Sequence, residues 1–79
     1  MSPTVFRERG YRFFFFSREE TRPHIHVYSG EGEAKFWIEP DVELARSHRY
    51  TQNQLREIER IIEEHRDVIR TAWREHFGA

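Results

Sequence analysis

The chain reads as an α+β domain: a mainly antiparallel sheet of four to five strands with one long C-terminal α-helix packed on one face. Three observations predict it. Nine of the 12 aromatic residues lie before Pro40, in short runs between breakers such as Gly10, Pro23 and Gly30, which is strand patterning. Beyond Thr51 the apolar residues recur instead at helical spacing. A chain of 79 residues without cysteine fits a single domain, residues 1–79, with no disulfide to staple it. One core near this size rarely supplies more than about 3–5 kcal/mol.

The strands are expected at residues 4–9, 11–17, 24–28 and 33–39, and the sheet spans about 4–45. The stretch 42–45 suits a short strand or a helical turn. The turn-like breaks fall at Gly10, at residues 19–23, at residues 29–32 and at Pro40. The third and fourth strands alternate strictly, and Ser29-Gly30-Glu31-Gly32 joins them as a hairpin. Counting back from Tyr28 opposite Glu33 sets His26 against Lys35 and His24 against Trp37. Side chains alternate across a strand. One face therefore holds Ile25, Val27, Ala34, Phe36 and Ile38, which the helix should cover. The other holds His24, His26, Tyr28, Lys35, Trp37 and Glu39. Trp37 and the double-sided apolar run Phe13 to Phe16 imply that this second face is not bare either, with the chain ends or another subunit as cover.

The helix should run from about 52 to 77. Thr51 and Gln54 form a capping box, in which the Thr hydroxyl and the Gln side chain each satisfy a backbone N–H. Leu55, Ile58, Ile61, Ile62, Val68, Ile69, Ala72, Trp73 and Phe77 make its apolar stripe. Glu57 with Arg60, Glu63 with Arg66 and Asp67 with Arg70 are spaced as surface ion pairs. Gly78 is a natural stop. At 1.5 Å per residue the helix would be about 39 Å long. A compact chain of this size has a diameter of roughly 30 Å. The helix must then kink onto its own core or overhang it, and an overhanging Val68, Ile69, Trp73 and Phe77 would need a homodimer or a partner to bury them.

Charge narrows the function classes. The net charge is −1, and neither half of the chain is basic, which argues against a generic polyanion binder. All but one of the 13 basic residues are arginine, the better residue for planar pairing and stacking. Arg7, Arg9, Arg12, Arg18 and Arg22 concentrate early, interrupted by Glu8, Glu19 and Glu20. No apolar run approaches a membrane span, and the N-terminus lacks a signal-peptide pattern, so a cytoplasmic protein is expected. There is no phosphate loop and no recognisable nucleophile context.

Three functional readings compete for the hairpin. His24 and His26 project to one side and suit a transition metal, although only Glu39 or His48 stands ready to complete the ligand set. Alternatively, either imidazole serves as acid/base in a metal-independent, endoribonuclease-like cleavage, with Arg22 and Lys35 holding phosphate. Thirdly, His24, His26, Lys35 and Trp37 with Tyr28 and Glu39 form a recognition surface for a protein or RNA. The plain alternative is a satisfied polar face in which His24 stacks on Trp37.

Four blocks carry a family likeness: residues 10–15 (GYRFFF), 23–27 (PHIHV), 34–40 (AKFWIEP) and 42–45 (VELA). Together they resemble the small prokaryotic proteins of the domain of unknown function family 4160. Its members are commonly stand-alone and often encoded beside another small domain. The resemblance implies a bacterial interaction protein, one member of a toxin–antitoxin-like pair, with a partner encoded nearby. It implies no established reaction, catalytic residue or cofactor. A weaker similarity, of shape and one residue type, links the chain to small toxins that set a histidine on a sheet and cut messenger RNA, although it lacks their N-terminal helix.

Overall fold

The computed structural model describes residues 3–16 and 21–78. Five strands form one antiparallel meander in the order β1-β2-β3-β4-β5: β1 (Thr4–Glu8), β2 (Tyr11–Phe14), β3 (His24–Ser29), β4 (Gly32–Trp37) and β5 (Glu43–His48). Two helices follow, α1 (Gln52–Glu64) and α2 (Arg66–Phe77). The expected fold class holds, with five strands. The expected end of the second strand at Ser17, the break at Glu19 and Glu20, and Arg18 lie outside the described residues.

Local chemistry explains the turns. Arg9 and Gly10 both take positive φ, 53° and 84°, the backbone of a tight two-residue hairpin that suits glycine at the second position. At Gly32 a Cβ would come within 2.5 Å of the His48 carbonyl oxygen, so a side chain there would push β5 off β4. The β3–β4 register pairs His24 with Trp37, His26 with Lys35 and Tyr28 with Glu33, as strict alternation requires. The undecided stretch after Pro40 is the edge strand β5, displaced by a bulge opposite Lys35 and Phe36.

The capping box is complete: the Gln54 N–H donates to Thr51 Oγ1 at 3.1 Å, and the Thr51 N–H donates to Gln54 Oε1 at 2.8 Å. Gly78 ends α2 in the left-handed region at φ 75°.

The single long helix is corrected to two. The chain breaks at His65 (φ −110°, ψ 17°), without a glycine or proline. Tertiary contacts hold the break. His65 stacks on Phe6 with centroids 4.5 Å apart. Arg66 Nε donates to the Ile38 carbonyl at 3.1 Å, and its Nη2 donates to the Pro40 carbonyl. The turn folds the distal stripe back: Ile69 is fully buried and Trp73 is 3% exposed. The molecule measures 33 × 26 × 19 Å, which a straight 39 Å helix would exceed. The stripe therefore closes on its own core, and among its members Val68 stays exposed while Phe77 is half-buried.

That core is Phe13, Phe15, Ile25, Val27, Phe36 and Ile38 under Ile58, Ile62, Ile69 and Trp73. Two expected helix ion pairs give way to contacts with the sheet. Glu57 pairs with Arg9 at 3.5 Å and accepts from the Tyr11 hydroxyl at 3.1 Å. Arg66 serves the carbonyls just named. Asp67 does face Arg70, at 3.9 Å, and Arg70 also meets Glu39 at 3.0 Å.

Candidate functional site

The strand registers lay two transverse rows across the side of the sheet away from the core. One runs Arg7, Arg12, Tyr28, Glu33, His48; the other runs Phe14, His26, Lys35, Arg46. His24 and Trp37 lie beside them at the sheet end. No break in alternation separates these residues, so their common side follows from strand geometry.

The centre of this face is closed. His24 is 0% exposed, and His26 and Lys35 are each 6% exposed. Around His24 the rings of His26, Trp37 and Trp73 sit 5.1, 5.5 and 5.1 Å away. Its Nδ1 lies 2.7 Å from the Arg22 carbonyl, which can only accept, so Nδ1 carries the hydrogen. His26 packs between Phe14 and Phe16 at 5.6 and 4.4 Å. Lys35 Nζ lies 4.5 Å from the Trp37 ring centre, and the Arg22 guanidinium lies 4.3 Å from the same ring. Cations over indole attract its negative face. Arg22 is fixed further by Nε donating to the Glu39 carbonyl at 3.1 Å and by Glu43 at 3.6 Å.

The rim is open. Phe16 is 46% and Tyr28 is 52% exposed, and Arg7, Arg22, Arg46 and His48 are exposed as well. Arg12 stacks over Phe14 at 4.3 Å and donates to Thr4 Oγ1 at 2.7 Å. A cavity of about 130 Å³ is bordered by Phe16, His26, Lys35 and Arg46, room for about four waters.

The structure thus brings Arg22, His24, His26, Lys35 and Trp37 together and adds Trp73. The hairpin face and the distal helix stripe, two separate surfaces in the sequence, meet at His24. Glu39 turns away to Arg70, Val68 lies on the opposite side beside β1, and Ile69 is core. Glu8 does not interrupt the arginines of this face, because it turns toward the helices and His65; Glu19 and Glu20 lie outside the described residues. Among the described residues no third ligand joins His24 and His26, and the group with metal-ligand spacing is Glu8, Glu64 and His65. Arg7 and Arg46 were missed as members of the face. Arg46 was findable only once β5 was placed as a strand.

Two tyrosines are perturbed. Burial, with the Glu57 carboxylate beside it, pushes the Tyr11 hydroxyl up to about 12. Burial also raises Tyr50, whose hydroxyl pairs with Ser29 Oγ at 2.9 Å.

A five-stranded meander with both helices on one side, and an aromatic, imidazole and cationic layer on the other, defines a small α+β domain. Residues 10–74 match the family model of a domain of unknown function, DUF4160, and the chain belongs to that family. Searches of curated proteins and of solved structures returned no match. Among the described residues no helix is long and apolar enough to cross a membrane.

Proposed function

We propose that this chain is a bacterial, cytoplasmic interaction protein, one member of a toxin–antitoxin-like pair, and that the helix-free sheet face receives its partner. The carrying observation is the burial of His24, His26 and Lys35 under aromatic rings on that face. Burying polar and charged groups costs free energy that an apolar set avoids. Their presence there supports a role beyond stability. The rim supplies what a docking surface uses: exposed aromatics and arginines, both enriched at protein interfaces. Guanidiniums held over the Trp37 and Phe14 rings suit carboxylates, so the partner surface is acidic.

The endoribonuclease reading has less support, since an acid/base must lie within hydrogen-bond reach of the substrate and His24 is fully buried. His26, beside Lys35 and the small cavity, is its remaining candidate. A homodimer through Ile69 and Trp73 loses its motive, because both residues are buried within the chain.

Co-expression with the product of the adjacent gene tests the proposal. A co-purifying complex is expected, and Arg22→Glu with Tyr28→Ala should abolish it while the variant stays folded. Failure to co-purify, or capture unchanged by these substitutions, contradicts the proposal. RNA cleavage lost in His26→Ala would favour the nuclease.

A further inference from the structure

We propose that Glu8, Glu64 and His65 form a binding site for a divalent transition metal of the zinc type, joining β1 to the break between the helices. The site is independent of the sheet-face reading. One ligand atom from each residue lies within 4.8 Å of the other two. His65 Nε2 is 3.3 Å from Glu8 Oε1. Two ligands each about 2.05 Å from a tetrahedral ion stand about 3.3 Å apart, the same separation.

The orientation of His65 is the stronger argument. Its Nδ1 lies 2.9 Å from the Ile61 carbonyl. That oxygen only accepts, so Nδ1 carries the hydrogen and Nε2 of the neutral ring presents its lone pair. Nε2 faces a carboxylate oxygen of Glu8, an acceptor. Such a contact is satisfied only by a cation between them, a proton or a metal ion. A second carboxylate, Glu64, adds charge to the same point. Ring nitrogen donating to a backbone carbonyl while the other nitrogen binds is the usual arrangement of a metal-bound histidine.

The surroundings hold this geometry. The ring is stacked on Phe6, which is itself stacked on Phe13 at 4.5 Å, so His65 cannot swing freely. Glu64 is exposed and free to turn its carboxylate inward. A cavity of about 100 Å³ borders Glu8 and Glu64, space for about three waters to complete the coordination shell. Arg9 and Arg60 also line it, but Arg9 is engaged by Glu57 at 3.5 Å. One imidazole and two carboxylates suit zinc and its neighbours better than magnesium, which prefers all-oxygen ligands and retained water. A bound ion would tie residues far apart in sequence, in a small chain that has no disulfide.

Calorimetric titration of the full chain, purified without a histidine tag and stripped with chelator, tests the site with zinc chloride and, separately, magnesium chloride. One zinc per chain is expected, weakened about tenfold or more in Glu8→Gln and in Glu64→Gln. At about five times its Kd, zinc should raise the Tm by about 4–8 °C. Because Glu64 is exposed, Glu64→Gln keeps the fold while removing a ligand. Imidazole nitrogen NMR should show zinc-induced shifts at His65. No saturable zinc binding up to 1 mM, unchanged affinity in both glutamine variants, equal binding of magnesium, or shifts confined to His24 and His26 would each overturn the assignment.

Discussion

The two sides of the sheet are both closed at their centres, and they are closed by opposite chemistry. On one side Phe13, Ile25, Val27, Phe36 and Ile38 are at most 1% exposed beneath the helices. On the other, His24, His26 and Lys35 reach nearly the same burial among Phe14, Phe16, Trp37 and Trp73. The apolar side gains free energy for every area removed from water. On the polar side, desolvation of these groups costs free energy, offset in part by ring and cation contacts. The difference separates what makes the domain fold from the face proposed to recognise its partner.

Substitution separates the two sides further. Phe36→Ala should cost about 3–5 kcal/mol, through lost transfer energy and a residual cavity. A domain of this size has little more than that to lose, so the variant should be largely unfolded by circular dichroism at 25 °C. A folded Phe36→Ala would erase the distinction. Lys35→Met keeps the volume and the packing on Trp37 but removes the ammonium. The variant should still unfold cooperatively in urea titration, while partner capture falls. Arg22→Lys should be milder still, under about 1 kcal/mol, because its ion pair with Glu43 is exposed. A lysine cannot place a guanidinium over Trp37 and at the same time donate to the Glu39 carbonyl.

The last effect appears only at alkaline pH. Burial and the Glu57 carboxylate push the Tyr11 hydroxyl up to about 12 in the folded protein, above its ordinary value of 10.0. The folded state therefore holds its proton after the unfolded state has released one. The contribution is fully present below pH 10 and is lost as pH rises through about 12. Denaturant titrations from pH 9 to 12 should show this decline, and Tyr11→Phe should flatten it.

Much of this was legible in the sequence where the interactions are local. The hairpin register follows from strict alternation around a short loop, so the company of His24, His26, Lys35 and Trp37 could be read directly. Thr51 and Gln54 announce the helix start by chemistry three residues apart. The length of the stripe called for a kink or an overhang, but the position of the break was not legible, because His65 and Arg66 are ordinary helix residues; their partners, Phe6, Ile38 and Pro40, are remote in sequence. The full burial of His24 was hidden for the same reason, since it depends on α2 turning back to bring Trp73 onto it. The fifth strand was ambiguous because a bulge interrupts its pairing. Glu8 and His65 gave no signal, as no spacing rule connects a strand with a distant helix end.

The central claim is that the helix-free face, not the helical layer, receives the partner. Calorimetric titration of the adjacent gene's product into two charge-reversal variants tests it most directly. Arg46→Glu alters the exposed rim of the face, and Arg56→Glu alters the solvent side of α1. The account predicts at least a tenfold loss of affinity, about 1.4 kcal/mol or more, for Arg46→Glu, and binding within twofold of the parent for Arg56→Glu. Equal affinities, or the larger loss in Arg56→Glu, would contradict it.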